Sequence, residues 1–201
     1  MTGGAGPYAP LLLMWLAMTG VMMAPVVLPW LRALSRLADA GALSSVGPFA
    51  GGYAVAWAAF SAALAGFHLS LSRMNIPVPF GLEAPALSAA ALWLAGGFQF
   101  TRLKEACLSH CRSPAGYLLT HWRSGLAGHA RLGFGHGLHC VGCCWALMAL
   151  ALVAGMIDLV WMGLLMAVMV AETTLPFGPR LRKPVGAALL AAGAIVLIAA
   201  S

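Results

Sequence analysis

The chain has 201 residues and a formal charge of +6; 62% of its residues are hydrophobic and only 8% charged, whereas soluble domains run near half apolar and a quarter charged. That composition argues against a water-soluble domain, and with about 20 apolar residues needed per span it leaves room for roughly six transmembrane helices and no large soluble portion. The basic residues lie between the apolar runs, where they set topology, so nucleic acid is set aside as a partner and the lipid bilayer takes its place.

The first apolar run covers residues 10–31, with Pro25 inside it as an expected kink. Ala38-Asp39-Ala40 resembles a signal-cleavage triplet, but no Lys or Arg precedes the run and Arg32 and Arg36 follow it, so a transmembrane helix is expected instead. A second span covers residues 51–71. Residues 72–85, rich in proline and polar groups, read as an interfacial loop. The third span covers residues 86–100 and is expected to continue towards Cys111. Residues 113–131 are too polar to span and are expected to lie along the membrane surface. Spans four, five and six follow at 133–154, 157–175 and 184–200. Spans two and six are dominated by Ala, Gly and Ser, which let helix backbones approach closely.

Arg32, Arg36, Arg102, Lys104, Arg112, Arg123, Arg131, Arg180, Arg182 and Lys183 all fall on one side of such a bundle, and only Arg73 on the other. Lys and Arg stay cytoplasmic, so both termini are expected outside the cytoplasm. The expectation is a single all-α domain over residues 1–201, a polytopic membrane helical bundle of about six helices.

The cysteines fall into two groups, Cys107 with Cys111 and Cys140 with Cys143 and Cys144. Residues four apart share a helix face, so His136, Cys140, Cys144 and Met148 form one row, His139 and Cys143 a second, and Cys107 and Cys111 a third. At about 1.5 Å per residue from Gly133, Cys140 lies roughly 10 Å deep and Cys144 roughly 16 Å. A disulfide framework is disfavoured, because the number of cysteines is odd and the side is reducing. A c-type haem attachment fails because Cys144 stands where histidine is required. Thiolate with imidazole is instead the ligand chemistry of soft and borderline metals.

Met14, Met18, Met22 and Met23 lie on the first span and Met162, Met166 and Met169 on the fifth, mostly as packing. Counting inward from opposite sides nonetheless puts Met22 and Met23 at the depth of Cys143 and Cys144, and mixed thiolate and thioether ligands favour Cu(I) over zinc. Glu172, near the cytoplasmic end of the fifth span, is a further candidate or an interface anchor. Asp158 and His68, at outer helix ends, either pair or are solvated. No phosphate loop, nucleophile elbow or H-E-x-x-H motif occurs, so metal handling is favoured over catalysis.

The stretch HGLHCVGCCWALM, from His136 to Met148, resembles the central signature of a bacterial family of predicted metal-binding integral membrane proteins, a domain of unknown function. KEACLSHCRSP, WRSGLAGHARLG and the spacing of Met18, Met22, Met23 and Pro25 extend the likeness over nearly the whole chain. Arg102 and Thr173 depart from it, standing where that pattern leads us to expect proline and lysine, and neither is a proposed ligand. The resemblance implies metal binding in a bacterial inner membrane. Copper is favoured as the metal and zinc is the alternative, with Cys140, Cys143 and Cys144 as the principal ligands and His136, His139, Cys107, Cys111 and Met22 or Met23 as their partners. The expected role is copper binding, relay, storage or translocation, with a membrane metalloenzyme or a metal-carrier protein as partner. Two other readings are a thiol oxidoreductase acting through Cys143 and Cys144 and a zinc-stabilised scaffold subunit.

Overall fold

The computed structural model describes residues 8–37, 42–76, 84–123, 125–154 and 158–200, and all regular structure among them is helical. In chain order the helices are α1 (Tyr8–Leu37), α2 (Ala42–Arg73), α3 (Pro85–Phe98), α4 (Arg102–Cys111), α5 (Pro114–His121), α6 (Leu126–Ala149), α7 (Ala151–Ala154), α8 (Leu159–Thr174) and α9 (Gly178–Ala199). Four of them, α1, α2, α6 and α9, are long and apolar enough to cross a membrane. The expected third and fifth spans are the shorter apolar helices α3 and α8, of 14 and 16 residues, or about 21 and 24 Å of rise.

Several elements differ in detail from the sequence expectation. Helix α1 carries both Pro25 and Pro29 inside one continuous element. The third span does not run on to Cys111: it stops at Phe98, and Thr101, in extended geometry, caps a new helix by accepting a hydrogen bond from the Lys104 N–H. Glu105 in the first turn of α4 suits the positive end of its dipole. Residues 126–131, expected on the surface, are the first turns of α6. Arg180, Arg182 and Lys183, expected between spans, lie in the first turns of α9, whose start tolerates proline because its early N–H groups have no intrahelical partner.

The tightest seam joins α2 to α6. A Cβ on Gly133 would land on the Phe49 carbonyl oxygen, and one on Gly137 would lie 2.7 Å from the Ala56 Cβ, so only glycine allows this approach. A looser seam of the same kind joins Gly96 of α3 to Gly186 of α9.

Polarity is inverted relative to a soluble protein. His136, Lys104, Gln99, Ser61 and Glu172 are buried, while Leu159 (85% exposed), Val160 (80%), Val21 (69%) and Leu13 (67%) face outward. The main core cluster gathers Trp15, Met18, Met22, Met23, Tyr53, Trp57, Met148 and Met169 around all five cysteines.

Candidate metal centre

Helix α6 holds Cys140, Cys143 and Cys144 at 0%, 1% and 2% exposure, all towards the interior. Its glycine seam draws α2 close enough for the Tyr53 hydroxyl to stand 3.3 Å from the Cys140 sulfur. Helix α4 supplies the next sulfur: Cys111 Sγ lies 3.8 Å from Cys143 Sγ, across 32 residues of sequence. The position of Cys111 is fixed from behind by Trp30, whose indole N–H donates to the Cys111 carbonyl at 2.9 Å. Sulfurs of Cys111, Cys140 and Cys143 all lie within 4.8 Å of one another, and Cys144 Sγ is 3.2 Å from Cys143 Sγ. With a metal–sulfur bond of about 2.3 Å, two thiolates on one ion sit about 3.8–4.0 Å apart in tetrahedral or trigonal geometry. The three sulfurs thus fit one soft ion with only small side-chain adjustment.

The imidazoles sit beside this cluster. His136 is wholly buried, stacked on Trp30 with ring centroids 3.7 Å apart, and neither of its ring nitrogens has a hydrogen-bond partner. His139 is exposed, its Nδ1 donating to the Gly135 carbonyl at 2.8 Å. Its ring lies flat on His110, 3.8 Å between centroids. Burial, then the neighbouring His139 and His121 rings, push His110 down to about 4, so at neutral pH it is an uncharged imidazole.

A family model described as PpoB2, copper chaperone, matches residues 12–196. The chain belongs to this copper chaperone family. No curated protein and no solved structure matches it. Family membership and the thiol cluster together support copper handling.

Other sequence candidates have separate places in this copper chaperone family member. Cys107 is buried, with its sulfur against Gly142 and outside the three-sulfur group; burial raises its thiol pKa. Met18, Met22, Met23 and Met148 share the core that surrounds the thiols. Glu172 is no interface anchor: it is buried and accepts from Lys104 Nζ at 2.6 Å. Asp158 is exposed and caps α8, accepting from the N–H groups of Val160 at 2.9 Å and Trp161 at 3.2 Å, which accounts for its carboxylate without a histidine.

Four residues beside the centre escaped the sequence reading. His110 sits in LSHC directly before Cys111, and its adjacency to the second cysteine was the available signal. Lys104 counts as a loop charge in the topology rule, yet it is only 1% exposed. Its place in an acidic-basic pair with Glu172, 68 residues away, has no local signature. Tyr53 and Trp30 read as ordinary span aromatics, and only packing turns their polar ends towards Cys140 and Cys111.

Proposed function

We propose that the protein is a membrane copper chaperone that carries Cu(I) on a buried thiolate site built from Cys111, Cys140 and Cys143. Cys144 stands beside it as a fourth sulfur, and Met22 and Met23, buried in the same core, would add thioether donors. The observation that carries this reading is the meeting of three sulfurs from two separate helices within 4.8 Å in a chain of the copper chaperone family. Thiolate and thioether donors without a carboxylate in the group suit Cu(I).

The apolar exterior and the four long helices support insertion in a bilayer. Helices α3 and α8 complete a six-span bundle if the bilayer thins around them, an adjustment that costs fractions of a kcal/mol per Å, roughly. In this reading the protein sits in a bacterial inner membrane with both termini outside the cytoplasm. It receives copper from a metal-carrier protein or passes it to a membrane metalloenzyme. Because Lys104 is buried in an ion pair, the orientation rests on the remaining basic residues. Reporter fusions at Phe177 should read cytoplasmic and at Ser201 external; the reverse at both positions overturns the orientation.

The deciding experiment replaces Cys111, Cys140 and Cys143 by serine together and measures copper stoichiometry and thermal unfolding beside the parent in one mild detergent. Serine keeps the size and loses the soft donor, so stoichiometric Cu(I) binding should vanish while the helices stay folded. Unchanged copper content refutes the site. Loss of folding, with zinc in the parent, supports the scaffold reading, because the binding energy of a structural zinc is part of the folding energy.

A further inference from the structure

The sulfurs are closed to solvent, so a metal ion needs a route to them, and the imidazoles beside them grade from surface to interior. His139 is exposed. Because its Nδ1 donates to the Gly135 carbonyl, its Nε2 carries the lone pair, the tautomer found in metal-ligating histidines. Its ring is stacked on half-buried His110 at an interplanar angle of 14°. The Nε2 of His110 is buried without a hydrogen-bond partner, and the next residue on α4 is Cys111. The ring of His136 lies 6.0 Å from that of His110, and one helical turn on from His136 is Cys140.

Stacking on Trp30 explains why the His136 ring is buried, but it does not satisfy the nitrogens. Three ring nitrogens on two neighbouring histidines, His110 and His136, are buried without a hydrogen-bond partner, an arrangement that opposes folding unless something else satisfies them. Buried polar groups left without partners call for a ligand, an ion or a catalytic role. Their succession towards two of the three clustered sulfurs gives them one.

We propose that His139, His110 and His136 form an imidazole gateway through which Cu(I) passes from the surface to the thiolate site. This inference rests on the copper-carrying reading above. Each step is a ligand exchange at constant oxidation state. The bond from copper to its donor breaks as the bond to His139 Nε2 forms, and the ion then moves to His110 and His136. The last imidazole bond breaks as copper binds the sulfurs of Cys111 and Cys140, and the displaced thiol protons leave to solvent at the His139 end. No electron moves.

The test follows loading of the detergent-solubilised full chain from a coloured Cu(I)–bathocuproine complex by stopped flow. His139→Ala and His110→Ala should each slow loading by about tenfold or more while the final copper stoichiometry stays at the parent value. His139 is exposed, so its variant keeps the test informative if His110→Ala folds poorly. A second route is offered by the cavity of about 150 Å³ lined by Val26, Trp30, Cys111, Thr173 and exposed Thr174. Thr174→Trp covers its mouth and should leave the rate unchanged. Parent-like loading in His139→Ala, or slowing by Thr174→Trp alone, overturns the gateway and leaves the thiolate site standing. A parent that takes up no copper overturns both.

Discussion

Lys104 Nζ stands 2.6 Å from Glu172 Oε2 with both side chains closed to solvent, so an ion pair ties α4, which bears Cys111, to α8. Arg112 strengthens the same tie by donating to the Glu172 carbonyl at 2.8 Å. Removing one partner strands the other as a buried charge. Glu172→Gln should therefore cost about 3–5 kcal/mol of stability, whereas the paired apolar replacement Lys104→Met with Glu172→Leu should recover most of it. Denaturant or thermal unfolding of the three variants in one detergent checks this; a Glu172→Gln protein as stable as the parent contradicts the pair.

The two cysteines of α4 should behave differently although they are one turn apart. Cys111 belongs to the three-sulfur group and Cys107 does not. Cys111→Ser should weaken Cu(I) affinity by about 100-fold, or about 2.7 kcal/mol, in competition with a Cu(I) chelator. Cys107→Ser should leave it nearly unchanged. Equal losses would mean that α4 presents both thiols to the metal.

The α2–α6 seam should be intolerant of a single methyl group. At Gly133 an added Cβ meets the Phe49 backbone, which cannot yield as a flexible side chain would. Gly133→Ala should cost about 1–3 kcal/mol or more by overpacking and weaken copper binding by displacing α6, which carries Cys140 and Cys143. Gly66→Ala, where nothing lies within 4 Å of the new Cβ, serves as the tolerated control. Melting temperatures and copper affinity read both effects.

Asp158 should matter for folding and not for metal. Its carboxylate accepts two N–H groups at the start of α8, so Asp158→Ala should destabilise by about 0.5–2 kcal/mol and Asp158→Asn should restore most of the loss. Copper stoichiometry should be the same in all three proteins. A change in copper content with Asp158→Ala would place this residue in the ligand set.

What the sequence by itself determined is whatever depends on neighbours along one chain segment. Apolar runs of sufficient length mark α1, α2, α6 and α9, and the spacing of four places His136, Cys140 and Cys144 on neighbouring turns of one helix. The cap at Thr101 was legible in principle, since a threonine with Glu105 in the first turn after it marks a helix start, but the apolar run across Phe100 concealed it. Tertiary structure alone decided which side chains from separate helices meet. Cys111 joins Cys143, Trp30 holds Cys111, and Lys104 finds Glu172 because α4 turns off α3 and packs against α6 and α8. It also turned His139 outward while Cys140 and Cys143 face in. Such contacts join residues 32 to 81 positions apart, and they depend, like the close approach of α2 to α6 at Gly133 and Gly137, on two surfaces together, which no single helix's periodicity contains.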